Sequence, residues 1–404
     1  MKENLETVVF VSNFFNHHQR PFCDAMYALL GDGYRFLETE HISQERLAMG
    51  WGERDLPSYV IPVDSFKEQR DKVQELIDHA DAVIFGSAPG ELLANRIRQD
   101  KMIFRYSERP LKVKEPWKYT VRLFTWRRAL PQKKHTYMLC ASAYTAADFA
   151  LFGLFHNKCY KWGYFPEVKK YDIAELMSRK LSATTAGLKH PKASILWAGR
   201  LIGWKHPDAS IKAAYELKKK GYSFQLDIIG NGEMEHQLKK MIQEMDLSDC
   251  VKMLGAMSPA QVREHMEKAD IFLFTSDRNE GWGAVLNESM NSGCAVIASD
   301  AIGSVPFLIK NGVNGVIYKD GNQKDLSQLL MELLDNPEKR KKNSQEAYLT
   351  MIETWNGEIA AERFVELSKE LKAGRETPYL DGPCSKAERL FQWNVYKHCK
   401  GKIR

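Results

Sequence analysis

Short apolar runs alternate with helical patterns along nearly the whole chain of 404 residues. In the first half, "TVVFVSNF", "YRFLET", "YVIPV", "DAVIFGSA", "KMIFRYS", "HTYMLCAS" and "KCYKWGYF" read as strands. Helical spacing covers 19–30, 65–79, 90–98 and 142–152 between them. Strands that alternate with helices in this way form right-handed βαβ units and a parallel sheet. The stretch 167–193 interrupts the rhythm, and its polar "SATTAGLKHPK" reads as a connector. The pattern then restarts with "SILWAGRL", "FQLDIIG", "VKMLGAM", "DIFLFTS", "CAVIASD" and "NGVIY" as strands. Helices are expected over 206–220, 232–246 and 259–268, from near Gly283, as a turn at 303–310, and through 323–373. Ser258 before Pro259 is an N-cap signature. The prediction is an α/β chain of two Rossmann-like, doubly wound domains, over 1–175 and 190–375. The tail 380–404 starts at Asp-Gly-Pro and reads as a basic helix carrying Leu390, Phe391, Trp393 and Tyr396, which could cross back to complete the first domain or lie on a membrane.

Composition adds little to this picture. The length exceeds one ordinary domain, and 44% hydrophobic with 27% charged residues is normal for a globular chain. No apolar run approaches the roughly 20 residues that span a bilayer. The start, "MKENLETVVF", lacks a secretory pattern, so a cytoplasmic location is expected. The seven scattered cysteines include no CxxC pair and read as buried free thiols, with no metal site.

Charge changes the picture in one place. The net charge is only +6, but 109–135 carries Arg109, Lys112, Lys114, Lys118, Arg122, Arg127, Arg128, Lys133 and Lys134 against Glu115. Trp117, Tyr119, Phe124 and Trp126 are interleaved. A solvated helix with aromatic packing would account for the segment. So would a surface lying on anionic lipid at the inner face of a membrane. No nucleic-acid module accompanies it.

Candidate chemistry gathers in the second domain. Ligands of open parallel sheets bind beyond the C-terminal strand ends. There the sequence places Arg200 and Lys205, then Gly230, Asn231 and Gly232, then the loop 256–258, then "SDRNEGWGAVLNESMNSG". Gly281, Trp282, Gly283 and Ala284 form a tight corner that exposes backbone N–H groups at a helix start, which suits phosphate. Arg200 and Lys205 add full positive charge. A carboxylate among phosphate binders needs hydroxyl protons to accept, so Glu288 suits a ribose and Glu280 suits a sugar.

These motifs, in this order, resemble the GT-B glycosyltransferases, and within them the retaining family 4. The resemblance rests on "WAGRLIGWKHPD", "LDIIGNGEMEHQLKKM", "VKMLGAMSPAQVREHMEKADIFLFTSDRNEGWGAVLNESMNSGCAVIASD" and "IKNGVNGVIYKDGN", over about 195–325. It implies two Rossmann-like domains facing a central cleft. It implies that Arg200 and Lys205 clamp the donor diphosphate and that 281–284 line the phosphates and transferred sugar. Glu280 would lie near the donor sugar, Glu288 at the ribose, and Gly230, Asn231 and Gly232 beside the base. No cofactor or metal is required, and the substrate is a nucleoside-diphosphate sugar, UDP-linked by preference or GDP-linked. The acceptor would be a saccharide or lipid-linked saccharide, in surface polysaccharide biosynthesis.

Two departures stand out. Trp282 occupies a position where the family commonly has Phe, and His206 one where Gly follows the lysine. In the first domain the usual glycine pair after the first strand is replaced by Asn16, His17, His18 and Gln19. His17 is a catalytic candidate there, with Asn16 and His18 on the acceptor side, against the alternative of a surface histidine pair. Glu108 could meet the acceptor hydroxyl and Arg109 could contact the acceptor, unless the two form a structural ion pair. Competing classes are another GT-B enzyme such as a sugar-nucleotide epimerase or phosphorylase, and a non-catalytic sugar-nucleotide sensor. A dinucleotide oxidoreductase would need a GxGxxG motif that "SNFFNHHQ" lacks.

Overall fold

The computed structural model describes residues 5–43, 55–112, 133–185 and 192–391. The chain forms two compact units, one from residues up to Glu167 together with Thr354–Phe391, the other from Val168–Glu353.

In the first unit the strands are β1 (Val8–Ser12), β2 (Tyr34–Glu38), β3 (Val60–Ile61), β4 (Ala82–Phe85), β5 (Met102–Ser107), β6 (Thr136–Cys140) and β7 (Cys159–Lys161). They pair in parallel in the order β3-β2-β1-β4-β5-β6-β7. The helices are α1 (Arg20–Leu30), α2 (Val63–Glu68), α3 (Arg70–His79), α4 (Ala94–Arg98) and α5 (Thr145–Ala150). The single helix expected over 65–79 is broken at Gln69, whose φ of −118° and ψ of 36° leave the helical region. Valine and isoleucine on β1 and β4 bury both faces of the sheet, as continuous apolar strands of a parallel sheet require.

The connector expected at 182–192 begins inside a helix, and 186–191 lie outside the described residues. That helix, α6 (Ile173–Thr185), opens the second unit and buries Leu176 and Met177. Its Lys180 Nζ donates to the carbonyls of Met266 (2.9 Å) and Ala269 (2.5 Å), satisfying orphan acceptors at a helix end. Then follow β8 (Ala193–Ala198), α7 (Pro207–Lys219), β9 (Phe224–Ile229), α8 (Glu235–Glu244), β10 (Val251–Gly255), α9 (Pro259–Lys268), β11 (Ile271–Phe274), α10 (Val285–Asn291), β12 (Ala295–Ser299), α11 (Val305–Leu308), β13 (Val316–Tyr318), α12 (Gln323–Asp335) and α13 (Pro337–Glu353). The parallel order β10-β9-β8-β11-β12-β13 reverses direction at β8. That reversal is where a doubly wound sheet opens a crevice at its C-terminal edge. Ser258 caps α9 with a full capping box to Gln261, as its sequence suggests.

The last helix, α14 (Gly357–Lys372), corrects the domain boundary. The sequence places it in the second domain, but it packs on α1 of the first unit. Phe364 meets Phe22 and Phe104 at ring distances of 6.3 and 4.8 Å, so its apolar face belongs to that core. Residues 380–391 are also not the start of a helix. Cys384 N–H donates to Lys161 O (2.9 Å) and Ala387 N–H to Cys159 O (3.0 Å), which seals the edge of β7. Residues 392–404, and 113–132 of the basic stretch, lie outside the described residues. No helix among the described residues is long and apolar enough to cross a membrane. The six described cysteines are free and buried.

Candidate functional site

Two turns at the C-terminal edge of the second sheet are laced together. The turn after β8 carries Arg200 and Lys205, and the turn after β11 carries Glu280. Thr275 Oγ1 donates to Lys205 O (2.8 Å) and receives the Trp197 indole N–H (2.8 Å). Asp277 N–H donates to Trp204 O (2.9 Å). On this frame Lys205 Nζ lies 2.5 Å from Glu280 Oε2, which also accepts from Ser276 Oγ at 3.0 Å. Glu280 is 8% exposed, so its carboxylate is held by a charge and a hydroxyl away from bulk water. Arg200 is exposed, and its guanidinium and the Lys205 ammonium both lie against the Trp204 ring, at 5.9 and 4.8 Å.

The glycine corner is fixed by its backbone. Gly283 has φ +80°, and a Cβ there would sit 2.3 Å from the Phe274 ring. The N–H groups of Gly281, Gly283 and Ala284 donate to no acceptor among the described residues, although Gly281 and Ala284 are buried. Buried donors without partners call for a ligand oxygen or water. The Trp282 side chain is fully buried, and its indole N–H donates to Asn287 Oδ1 at 2.9 Å. Its ring therefore braces the turn from inside the fold.

The β9 turn joins the same edge. Leu201 N–H donates to Asn231 O (2.7 Å) and Gly230 N–H to Gly255 O (2.8 Å). A Cβ on Gly230, at φ +140°, would fall 1.8 Å from Gly199 O, so glycine is required for the β8 and β9 turns to touch. Asn231 and Gly232 are exposed beside it. Glu288, on the first turn of α10, has separate surroundings. Its carboxylate makes no hydrogen bond or ion pair among the described residues. Burial pushes its pKa up against the opposing charge of Arg263, which donates to Glu288 O at 3.0 Å.

The first unit brings most of its candidates together, but in a closed network. Tyr164 OH donates to Glu108 Oε1 (2.6 Å) and Lys112 Nζ to Glu108 Oε2 (2.6 Å). The His18 ring lies parallel to Tyr164 at 6.0 Å and 3.9 Å from the His17 ring. Burial, with the neighbouring His17, lowers the His18 pKa to about 3, so it is a neutral imidazole and not an anion-binding cation. Asn16 builds the turn into α1: its Oδ1 accepts from His18 N–H at 3.0 Å and its carbonyl from Gln19 N–H at 2.9 Å. Arg109 stands apart. It is 5% exposed and reaches Asp148 with two donors at 3.4 Å, above the Tyr144 ring. Glu108 and Arg109 thus have different partners, and the ion pair considered between them is replaced by two others. Arg109 is buried and holds Asp148.

The sequence reading missed Trp204, Ser276, Asp277, Tyr164 and Lys112. Trp204 and Ser276 had a signal, lying beside Lys205 and four residues before Glu280. Tyr164 had none, since only the pairing of β5, β6 and β7 brings it to Glu108. A cavity of about 740 Å³ opens at the N-terminal edge of the first sheet, between Gly33, Arg35, Lys72 and His79, and no candidate residue lines it. Ligands of parallel sheets bind at the opposite edge. Among the described residues no group of histidine, cysteine or acid side chains is arranged to hold a metal.

Comparison with known proteins gives this geometry a context. Residues 180–350 match the family model of glycosyl transferases group 1. The amylovoran biosynthesis glycosyltransferase AmsK of Erwinia amylovora is 35% identical over 149 residues, 36% of this chain and 36% of that protein. The putative colanic acid biosynthesis glycosyltransferase WcaL of Escherichia coli is 29% identical over 164 residues, 39% of each chain. The matches thus span well under half the length of these curated relatives. Among solved structures, Anabaena HepE in complex with UDP superposes with a TM-score of 0.65 at 16% identity, over 89% of this chain and 98% of that one. At such identity the likeness is one of fold, and the fold is GT-B: two Rossmann-like units, each built on a parallel sheet.

Proposed function

We propose that this GT-B chain is a glycosyltransferase that takes its sugar from a nucleoside diphosphate, through the turns of the second unit. The observation that carries the reading is the Lys205–Glu280 pair at 2.5 Å, beside exposed Arg200 and the open N–H groups of Gly281, Gly283 and Ala284. Fixed donors of this kind meet the charge that grows on a leaving diphosphate and need no reorganisation when the bond breaks. Lys205 and Arg200 supply the full charges, and the glycine corner supplies the oriented dipoles. Glu280, held by Lys205 and Ser276, is set to accept hydroxyl protons from the sugar, and the raised Glu288 to accept them from a ribose. The bond from the anomeric carbon to the diphosphate breaks as the acceptor oxygen attacks from the same face. The acceptor proton passes to the departing diphosphate oxygen, which gives retention of configuration with positioning as the main catalytic device.

The likeness of the central segment to the amylovoran and colanic acid glycosyltransferases supports a saccharide or lipid-linked saccharide acceptor in surface polysaccharide assembly. The donor expected is a UDP-sugar, and UDP bound to HepE supports that choice. A direct test incubates the protein with UDP-glucose labelled in the sugar and a panel of saccharide and lipid-linked acceptors, then reads the anomer of the product. Transfer with the α-configuration kept is the expected result. Oxidation or epimerisation of the sugar, or binding without turnover for every donor tried, would refute it.

A further inference from the structure

The residue that departs from the resemblance beside Lys205 has a backbone and a set of partners that single it out. His206 sits at φ 49°, ψ 50°, in the left-handed region that glycine adopts without cost. A non-glycine residue is kept there when its side chain does something that repays the strain. Here the imidazole reaches across the two laced turns, with Nε2 at 3.6 Å from Asp277 Oδ2 and Nδ1 at 3.9 Å from Asp208 Oδ1. Asp277 is the residue that anchors the Glu280 turn. Its N–H donates to Trp204 O (2.9 Å), its carbonyl accepts from Glu280 N–H (3.1 Å), and its Oδ1 accepts from Asn279 N–H (2.8 Å).

We propose that His206 is a positioning residue whose protonated imidazole ties the Asp277–Gly283 turn to the Arg200–Lys205 turn and so sets Glu280 and Lys205 for the donor diphosphate. This deepens the glycosyl-transfer reading and rests on it for the ligand, not for the clamp.

The charged groups around the ring favour the cation. Asp277 faces it from the β11 turn, Asp208 from α7 and Asp320 from the end of β13. Lys212 is already paired with Asp208 at 2.7 Å, and Lys205 with Glu280. The Asp277 carboxylate facing the ring raises the His206 pKa above the ordinary 6.5 despite burial, with Asp208 and Asp320 adding to it. Burial works to raise the Asp277 carboxyl, but His206 and the Asn279 donors outweigh it and lower it. The clamp is therefore complete below pH 6.5 and is lost as pH climbs through the raised His206 value.

The test compares the wild type with His206→Gly, which suits the backbone, and with Asp277→Asn. UDP affinity is measured by calorimetry from pH 5.5 to 9, and the ratio of wild type to variant cancels titration of the nucleotide itself. The ratio for His206→Gly should be about tenfold near pH 6 and fall toward one with rising pH. Asp277→Asn should behave the same way. A ratio of one throughout, or one independent of pH, overturns the proposal. Amide exchange over 276–283 in the nucleotide-free protein is the second arm. Once intrinsic rates are removed, protection in the wild type should decline as pH rises and stay low in His206→Gly. Equal protection at every pH overturns the clamp. If UDP binds to none of the three proteins, the donor reading fails and the exchange arm alone decides the clamp.

Discussion

The C-terminal strand ends of the two sheets carry similar residue types and use them differently. Both edges have a carboxylate held by a lysine: Glu280 by Lys205 in the second unit, Glu108 by Lys112 in the first. In the second unit the neighbours are unsatisfied, with an exposed Arg200 and backbone donors at Gly281, Gly283 and Ala284 that have no protein acceptor among the described residues. In the first unit the carboxylate has both oxygens occupied, the nearby His18 is neutral, and the adjacent arginine is committed to a buried aspartate. Residue type at a strand end marks where a site can be. Unspent hydrogen-bonding capacity marks where one is open.

The largest effect should come from the closed edge. Replacing Arg109 with Ala takes the facing cation from the buried Asp148 carboxylate, which keeps the Leu111 N–H at 3.0 Å, and costs up to about 3–5 kcal/mol of stability. Chemical denaturation of the variant checks this, and UDP affinity of the folded fraction should be unaltered. Lys205→Ala should act mainly on turnover. Loss of a charged donor to the leaving group lowers it by about 100- to 1,000-fold, roughly 3–4 kcal/mol, and the unfolding transition also falls, because the buried Glu280 carboxylate loses its cation and keeps only Ser276. Steady-state kinetics on a donor found by ligand screening reads that number. Glu288→Gln should weaken UDP binding by about 1.5–3 kcal/mol, the worth of a hydrogen bond to a charged acceptor, as measured by calorimetry. The smallest change is expected at Glu108→Gln. Its half-exposed pair with Lys112 contributes at most about 1 kcal/mol, and turnover should stay within tenfold. A 100-fold fall in turnover for that variant would make Glu108 a general base and erase the contrast between the two edges.

Much of this arrangement is legible in the sequence, for physical reasons that can be named. Parallel strands buried on both faces, such as β4 and β11, leave continuous apolar runs that only such a sheet needs. Arg200, Lys205, Glu280 and Glu288 are visible because each follows a strand by a fixed, short interval. What was not legible depends on partners distant in the chain. α14 has a helical pattern wherever it packs, and partners distant in the chain, Phe22, Phe104 and Trp162 around Phe364, place it in the first core. The helix Ile173–Thr185 falls where the strand–helix rhythm breaks in the sequence, and what holds it is burial of Leu176 and Met177 and the bonds from Lys180 to the carbonyls of 266 and 269. The isolation of Arg109 from Glu108 follows from Asp148, 39 positions away. His206 was visible as a departure, but its left-handed backbone was not.

The most direct test of an open diphosphate site on the second unit is thermal unfolding with UDP, GDP, ADP, CDP and dTDP, run on the wild type and on Lys205→Ala. One nucleotide, UDP by preference, should stabilise the wild type by about 2.7 kcal/mol at 100 times its dissociation constant, and the gain should vanish in the variant. Stabilisation by none of the five, or by the same amount in both proteins, would contradict it.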